Sequence, residues 1–260
     1  MLQAERHQYI LEKLYRHKAV EVNELATELG VTPMTIRRDL QALEEGGRVK
    51  KSHGGAVLSE SIAREATYRN RKLSHVEEKR AIAKEALNLI EPSMSVYLDA
   101  GTTNYELAIL MQERHWEDVT VVTNDLSIGK LLLPVAGIQV IFIGGMLDAE
   151  SESTCSFFAS QMMSAMHVDL AVLGTQAITD DGRVMSAKAE KVGLKRACLK
   201  GADRTVLLAD ASKFGKNKLY YLFDLTAVDM LITDYEIKGS LATLVDGSGI
   251  VYKRGKVGER

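Results

Sequence analysis

Beyond Pro92 the chain alternates short, almost wholly apolar runs with longer amphipathic ones, and this alternation restricts the fold more than any other feature. Runs such as Val140-Ile141-Phe142-Ile143 lack the in-and-out pattern of a half-exposed strand, as expected where helices cover both faces of a sheet. The pattern predicts strands at 95–98, 119–122, 139–143, 170–173, 206–209, 230–233 and 250–252, with helices between them. The expected fold class is therefore α/β, three layers around a mostly parallel sheet. Ligands of such open sheets bind beyond the C-terminal ends of the strands. Those ends read Asp99-Ala100-Gly101-Thr102-Thr103, Thr123-Asn124, Gly144-Gly145 and Asp210-Ala211-Ser212-Lys213. Gly101 allows close backbone approach, and a helix starting near Asn104 together with the threonine hydroxyls offers donors to an anion such as phosphate. The plain alternative is that Thr102 or Thr103 merely caps that helix.

The first 58 residues follow a different rhythm. A helix over 3–17 buries Ile10, Leu11 and Leu14, a short strand runs over 19–22, and a second helix over 24–29 closes at Gly30, which tolerates a left-handed cap. Val31-Thr32-Pro33 is a turn, with Thr32 suited to the N-cap and Pro33 to the first position of a third helix that ends near Glu45. Ile36, Leu40 and Leu43 form its buried stripe, which leaves Met34, Thr35, Arg37, Arg38 and Gln41 facing outward. This is a helix-turn-helix arrangement, whose second helix lies in a DNA major groove. Residues 48–58 then form a basic hairpin, a wing, whose Lys50, Lys51 and His53 are expected beside the phosphates; a solvated lysine-rich hairpin is the alternative. Thr32 completes the expected DNA-contacting set.

Charge narrows the type of DNA binding. The formal net charge is only -2, which does not suit a protein that coats nucleic acid through a bulk positive field. Between Thr32 and His53, Arg37, Arg38, Arg48, Lys50 and Lys51 stand against Asp39, Glu44 and Glu45, a small excess that favours site-specific binding as a dimer over tight non-specific binding. No apolar run approaches the roughly 20 residues of a membrane span, and the N-terminus lacks a signal-peptide core, so a cytoplasmic protein is expected. Cys155 and Cys198 have no metal-ligand spacing, and we expect neither disulfide, metal nor cofactor. Residues 59–74, with Arg64, Arg69, Arg71 and Lys72, read as a linker between a DNA-binding domain at 1–58 and a second domain at 75–260. The latter opens on a helix bearing Ile82, Ala83, Ala86, Leu87 and Ile90, and its tail after Tyr252 is expected to fray.

Thr-Ile-Arg-Arg-Asp-Leu at 35–40, followed by His-Gly-Gly-Ala at 53–56, resembles the signature of the DeoR family of bacterial transcription regulators. The resemblance extends through Asp99-Ala100-Gly101-Thr102-Thr103, Thr123-Asn124, Gly144-Gly145 and Asp210-Ala211-Ser212-Lys213-Phe214-Gly215. It implies a winged helix-turn-helix joined to a regulatory domain similar to sugar-phosphate isomerases, in a repressor that binds double-stranded operator DNA as a homo-oligomer, a dimer or tetramer. The strand ends then form an effector site for a phosphorylated sugar: Thr102 and Thr103 at the phosphate, Asp99 and Asn124 at hydroxyls, Lys213 as a point charge, with Gly101, Thr123, Gly144, Gly145 and Asp210 around them. Three positions depart from the family pattern. Asp148 stands where an arginine is common, the glycine usual near Ser156 is absent, and Ala177 stands where glycine follows an acidic or polar residue. Glu190, Lys195 and Arg196 match a helix bordering the family's pocket, although their spacing reads first as ordinary surface ion pairs. No catalytic residue is assigned. The alternatives are an isomerase-like enzyme that uses Asp99, Asp210 or Glu190, or a sensing domain that only oligomerises.

Overall fold

The computed structural model describes residues 2–17, 19–46, 48–52, 54–58, 68–149 and 151–258. They fall into two compact units, Met1–His75 and Val76–Arg260. In the first, helices α1 (Gln3–His17), α2 (Val22–Leu29) and α3 (Pro33–Glu45) surround one core. Ile10, Leu14, Leu25, Ile36 and Leu40 fill it, the positions that helical periodicity marks as inward. Strand β1 (Ala19–Glu21) pairs antiparallel with β3 (Gly55–Leu58), which pairs with β2 (Val49–Ser52), so the hairpin becomes the wing of a three-stranded sheet. Val22, predicted as the end of the first strand, instead opens α2 and buries its side chain. The expected linker is also altered: Tyr68–Leu73 forms a helix, α4, while residues 59–67, Arg64 included, lie outside the described residues.

The second unit is a seven-stranded parallel sheet between helical layers. Its strands are β4 (Ser95–Leu98), β5 (Val119–Thr123), β6 (Ile138–Phe142), β9 (Val168–Gly174), β12 (Ala202–Leu208), β14 (Met230–Thr233) and β15 (Val251–Arg254). They lie in the order β15-β14-β12-β9-β4-β5-β6. Alternate residues of the central strands enter two separate cores, which is why those strands are apolar throughout. Val96, Leu98, Leu170, Val172, Val206 and Leu208 face α5 (Val76–Leu87), α6 (Thr102–Gln112) and α7 (Leu126–Leu132). Tyr97, Ala171, Leu173 and Leu207 face α8 (Phe157–Ser164), α9 (Glu190–Lys200) and α10 (Ser240–Ser248). The predicted α/β class and three-layer arrangement hold.

The sequence reading misses two smaller sheets. An antiparallel hairpin joins β7 (Met146–Asp148) to β8 (Ser153–Cys155), and β10 (Ala177–Ile178), β11 (Arg183–Ser186) and β13 (Tyr220–Asp224) form a three-stranded antiparallel sheet. Strands of two to five residues carry too few repeats for a period to show. The C-terminal tail is corrected too. Strand β15 continues through Arg254, and the Gly255 amide donates to the Thr233 carbonyl at 2.9 Å.

Candidate functional site

Helix α3 is built to hold an exposed face still. The Thr32 hydroxyl accepts from the Thr35 amide at 3.2 Å, Pro33 occupies the first turn, and Ile36, Leu40 and Leu43 are buried. Asp39, 1% exposed, anchors the helix to α1. It accepts from Arg6 through Nε at 2.8 Å and Nη2 at 3.0 Å, and its Oδ1 lies 3.1 Å from His7 Nε2. Thr32, Met34, Arg37, Arg38 and Gln41 are exposed, and Thr35 is half-buried. Arg37 and Arg38 carry no intramolecular ion pair among the described residues, so both guanidinium groups remain available to a ligand.

The wing is clipped to this helix. Lys51 donates through Nζ to Gln41, lies 3.5 Å from Glu44, and its amide donates to Glu44 at 2.9 Å, while Gln41 donates to Glu45 at 2.9 Å. Strand alternation sends Lys50 to the opposite side, where it is exposed. The two lysines are therefore not equivalent, a distinction their adjacency conceals. His53 lies outside the described residues. The paired glycines of the motif have separate causes: Gly54 takes φ 85, and a Cβ on Gly55 would lie 2.0 Å from the Val20 carbonyl oxygen.

In the second unit the C-terminal ends of β4, β5 and β9 converge through side chains. Tyr97 donates from its hydroxyl to Asn124 at 3.0 Å and to Asp99 at 3.4 Å. The Gly174 amide donates to Asp99 at 2.9 Å and the Ala100 amide to Asn124 at 3.0 Å, while Asn124 donates to the Thr154 carbonyl at 2.8 Å. Asp99 is also paired with Lys195, whose side chain is buried in the same place. This overturns the surface-pair reading of Lys195. The sequence did carry a signal, because Leu194, Lys195 and Cys198 share one face of α9 and both neighbours are buried. Burial pushes the Cys198 thiol and the Tyr97 hydroxyl well above their usual pKa ranges, so neither ionises beside the pair.

Other expected residues divide into open and occupied. Gly101 is the N-cap of α6, no side chain caps that end, and a Cβ on Gly101 would meet nothing within 4 Å. The capping alternative for Thr102 and Thr103 is thus not realised; both are largely buried at the first turn, where free amides collect. Thr123 is fully buried, donates to the Leu98 carbonyl at 2.7 Å and accepts from the Asp125 amide at 3.1 Å, so it holds strands rather than facing solvent. Asp210 accepts from the Ser212 amide at 3.0 Å and sits 3.4 Å from Lys213 in the same turn, so Lys213 is not the unopposed charge its loop position suggests.

The three departures acquire causes. Asp148 is matched by Lys188 at 2.7 Å and accepts from the Ser151 hydroxyl at 2.6 Å, so its charge is locally compensated. Met146, Leu147, Asp148, Lys188, Glu190 and Tyr220 line a groove of about 440 Å³ there. Ala177 is buried in β10, and Gln176 accepts from the Ala187 amide at 2.7 Å. Ser156 adopts φ 111 and ψ -178, a region almost reserved for glycine, and its buried hydroxyl has no partner. Gly145, exposed beside it with φ 145, would place a Cβ 2.9 Å from the Cys155 carbonyl, whereas Gly144 is exposed and open. Replacing Ser156 by glycine is expected to stabilise this unit by about 1 kcal/mol, since strain is released and no hydrogen bond is lost. Urea unfolding followed by fluorescence of Trp116, the single tryptophan, measures it; an unchanged or lowered midpoint would contradict the strain.

The pattern described as the DeoR-like helix-turn-helix domain matches residues 6–62, and that described as the DeoR C terminal sensor domain matches residues 74–235. The chain is 33% identical over 233 residues to a putative aga operon transcriptional repressor of Escherichia coli O157:H7, covering 89% of this chain and 86% of that protein. It is 30% identical to the glycerol-3-phosphate regulon repressor of Escherichia coli K12, covering 90% and 92%. Among solved structures, ribose 5-phosphate isomerase A from Neisseria gonorrhoeae overlaps with a TM-score of 0.38 at 14% identity, over 52% of each chain. With both domain patterns matched and one third of its residues shared along nearly its whole length, the chain belongs to the DeoR family of helix-turn-helix transcriptional regulators.

Proposed function

We propose that this regulator is a cytoplasmic repressor of a carbohydrate-metabolism operon, whose hold on operator DNA changes when its sensor domain binds a phosphorylated sugar. The names of its relatives support the class, since one is a putative aga operon repressor and another a glycerol-3-phosphate regulon repressor. The observation that carries the DNA half is Arg37 and Arg38, exposed and unpaired on a helix locked from behind by Asp39 and Arg6. Met34, Thr35 and Gln41 extend that reading face, and Thr32, Lys50 and Lys51 flank it toward phosphates. One such helix reads only a few base pairs, so the chain acts as a homo-oligomer on repeated or palindromic half-sites.

For the effector, the open start of α6 at Gly101, Thr102 and Thr103 supplies donors to a phosphate, and the adjoining Asp99, Asn124 and Lys195 cluster meets hydroxyls. Thr123, Gly144, Gly145, Asp210 and Lys213 frame the same strand ends. We read the domain as non-catalytic and cofactor-free: Asp99, the best-placed base, is already committed to Lys195 and the Gly174 amide. Effector and DNA are linked through a coupling of ~1–3 kcal/mol.

Selection of bound duplexes from a random pool, with and without a panel of phosphorylated sugars, tests the proposal. A defined sequence should emerge, and at least one sugar phosphate should change its retention. On that sequence Arg37→Ala and Arg38→Ala should each weaken binding by roughly 1–3 kcal/mol at fixed salt, the worth of a guanidinium paired with a guanine edge. Parent-like binding by both variants would remove α3 as the reading element.

A further inference from the structure

The sensing unit displays more apolar surface at one place than a lone domain carries. Met146 and Leu147 on β7, Phe157 and Phe158 at the start of α8, and Leu219 and Tyr221 at β13 are all between 41% and 78% exposed. These elements adjoin. Met146 pairs with Cys155, two residues before Phe157, and Met146, Leu147 and Tyr220 line one groove. Helix α8 packs so closely on α9 that a Cβ on Gly193 would lie 2.7 Å from the Ser160 hydroxyl, and Arg196 of α9 reaches over the Tyr221 ring. The two phenylalanine rings meet edge to face at 5.9 Å with neither covered.

We infer that this surface is where a second copy of the chain docks. The inference deepens the oligomeric reading above by giving it a face. Magnitudes favour a copy over a small ligand. At roughly 200 Å² for a large apolar side chain, the exposed parts of these six residues amount to roughly 750 Å², above the ~300–600 Å² of a typical monomer's largest patch and close to the ~800 Å² each partner buries in a standard interface. The rim carries both signs, Asp148 and Glu190 beside Lys188 and Lys191, and Asp148 is already paired with Lys188 within the chain, so no excess of one charge opposes a second copy of the same surface.

The experiment is sedimentation of the full chain over roughly 0.1–50 µM, the range in which an interface of this size dissociates or holds. The parent should sediment as an oligomer, and Phe157→Glu with Phe158→Glu should lose at least half its mass, with association weakened about 100-fold or more. Leu133→Glu, equally exposed at the end of α7, should leave the mass unchanged. The Trp116 unfolding midpoint of each variant checks folding, and hydrogen exchange of the parent should show residues 146–158 protected as concentration rises. A monomeric parent, a phenylalanine variant of parental mass, dissociation by Leu133→Glu, or exchange in 146–158 that ignores concentration would each overturn the inference. Operator binding is scored separately, so its failure bears on the functional reading and not on this face.

Discussion

Lys195→Met should lower the unfolding free energy of the sensing unit by about 3–5 kcal/mol, the usual loss when one member of a buried ion pair is removed. Both side chains are nearly inaccessible, 8% exposed for Lys195 and 3% for Asp99. Methionine keeps the length and apolar stem of lysine, so little packing is lost and the effect isolates the charge. What remains is a carboxylate with two neutral donors, the Gly174 amide and the Tyr97 hydroxyl, and no countercharge. Trp116 is buried in this unit, so urea unfolding followed by its fluorescence reads the relevant transition. Adding Asp99→Leu to Lys195→Met should recover most of the loss, because the pair is then replaced rather than broken. A single-variant loss below about 1 kcal/mol would place the pair in effective contact with water, as for surface ion pairs.

Gly55→Ala should be nearly as costly in the other unit, about 3 kcal/mol or more. The added methyl would lie 2.0 Å from the Val20 carbonyl oxygen, and that neighbour is backbone engaged in the β1–β3 ladder. The strand has no rotamer with which to retreat, so relief requires breaking the pairing of Ala19, Val20 and Glu21 with Val57, Ala56 and Gly55. Gly54→Ala is the internal comparison. It faces open space at φ 85 and should cost only about 1 kcal/mol, the penalty of a left-handed residue with a side chain. Hydrogen exchange of residues 19–21 and 55–58 measures the difference locally. Trp116 belongs to the other unit and should report an unchanged midpoint. Equal protection in the two variants would mean that β1 can shift without cost.

Legibility in the sequence follows the range of the interactions concerned. Thr32 and Pro33 announce the start of α3 because capping and proline geometry act within one turn, and Ile36, Leu40 and Leu43 mark its inner face because helical spacing is local. The parallel sheet is readable for the same reason: strands facing two cores must be apolar at every position. Short antiparallel strands such as Ala177–Ile178 escape because two residues define no period. Ser156 is an intermediate case. The missing glycine is visible as a departure from a family pattern, but that the position truly demands φ 111 emerges only from the backbone path between Gly145 and α8.

The sequence by itself determined the three helices of the first unit, the parallel strands of the second, their buried faces and the kinds of chemistry at the strand ends. Which charge meets which was decided only in three dimensions. Asp39 meets Arg6 across 33 residues, Asp148 meets Lys188 across 40, and Asp99 meets Lys195 across 96. Periodicity specifies the face on which a side chain lies, but its partner depends on how separate layers pack together. Hence a lysine read as a surface ion pair became the buried countercharge of the candidate site, and the aspartate that stands where the family pattern has arginine arrived already neutralised by Lys188.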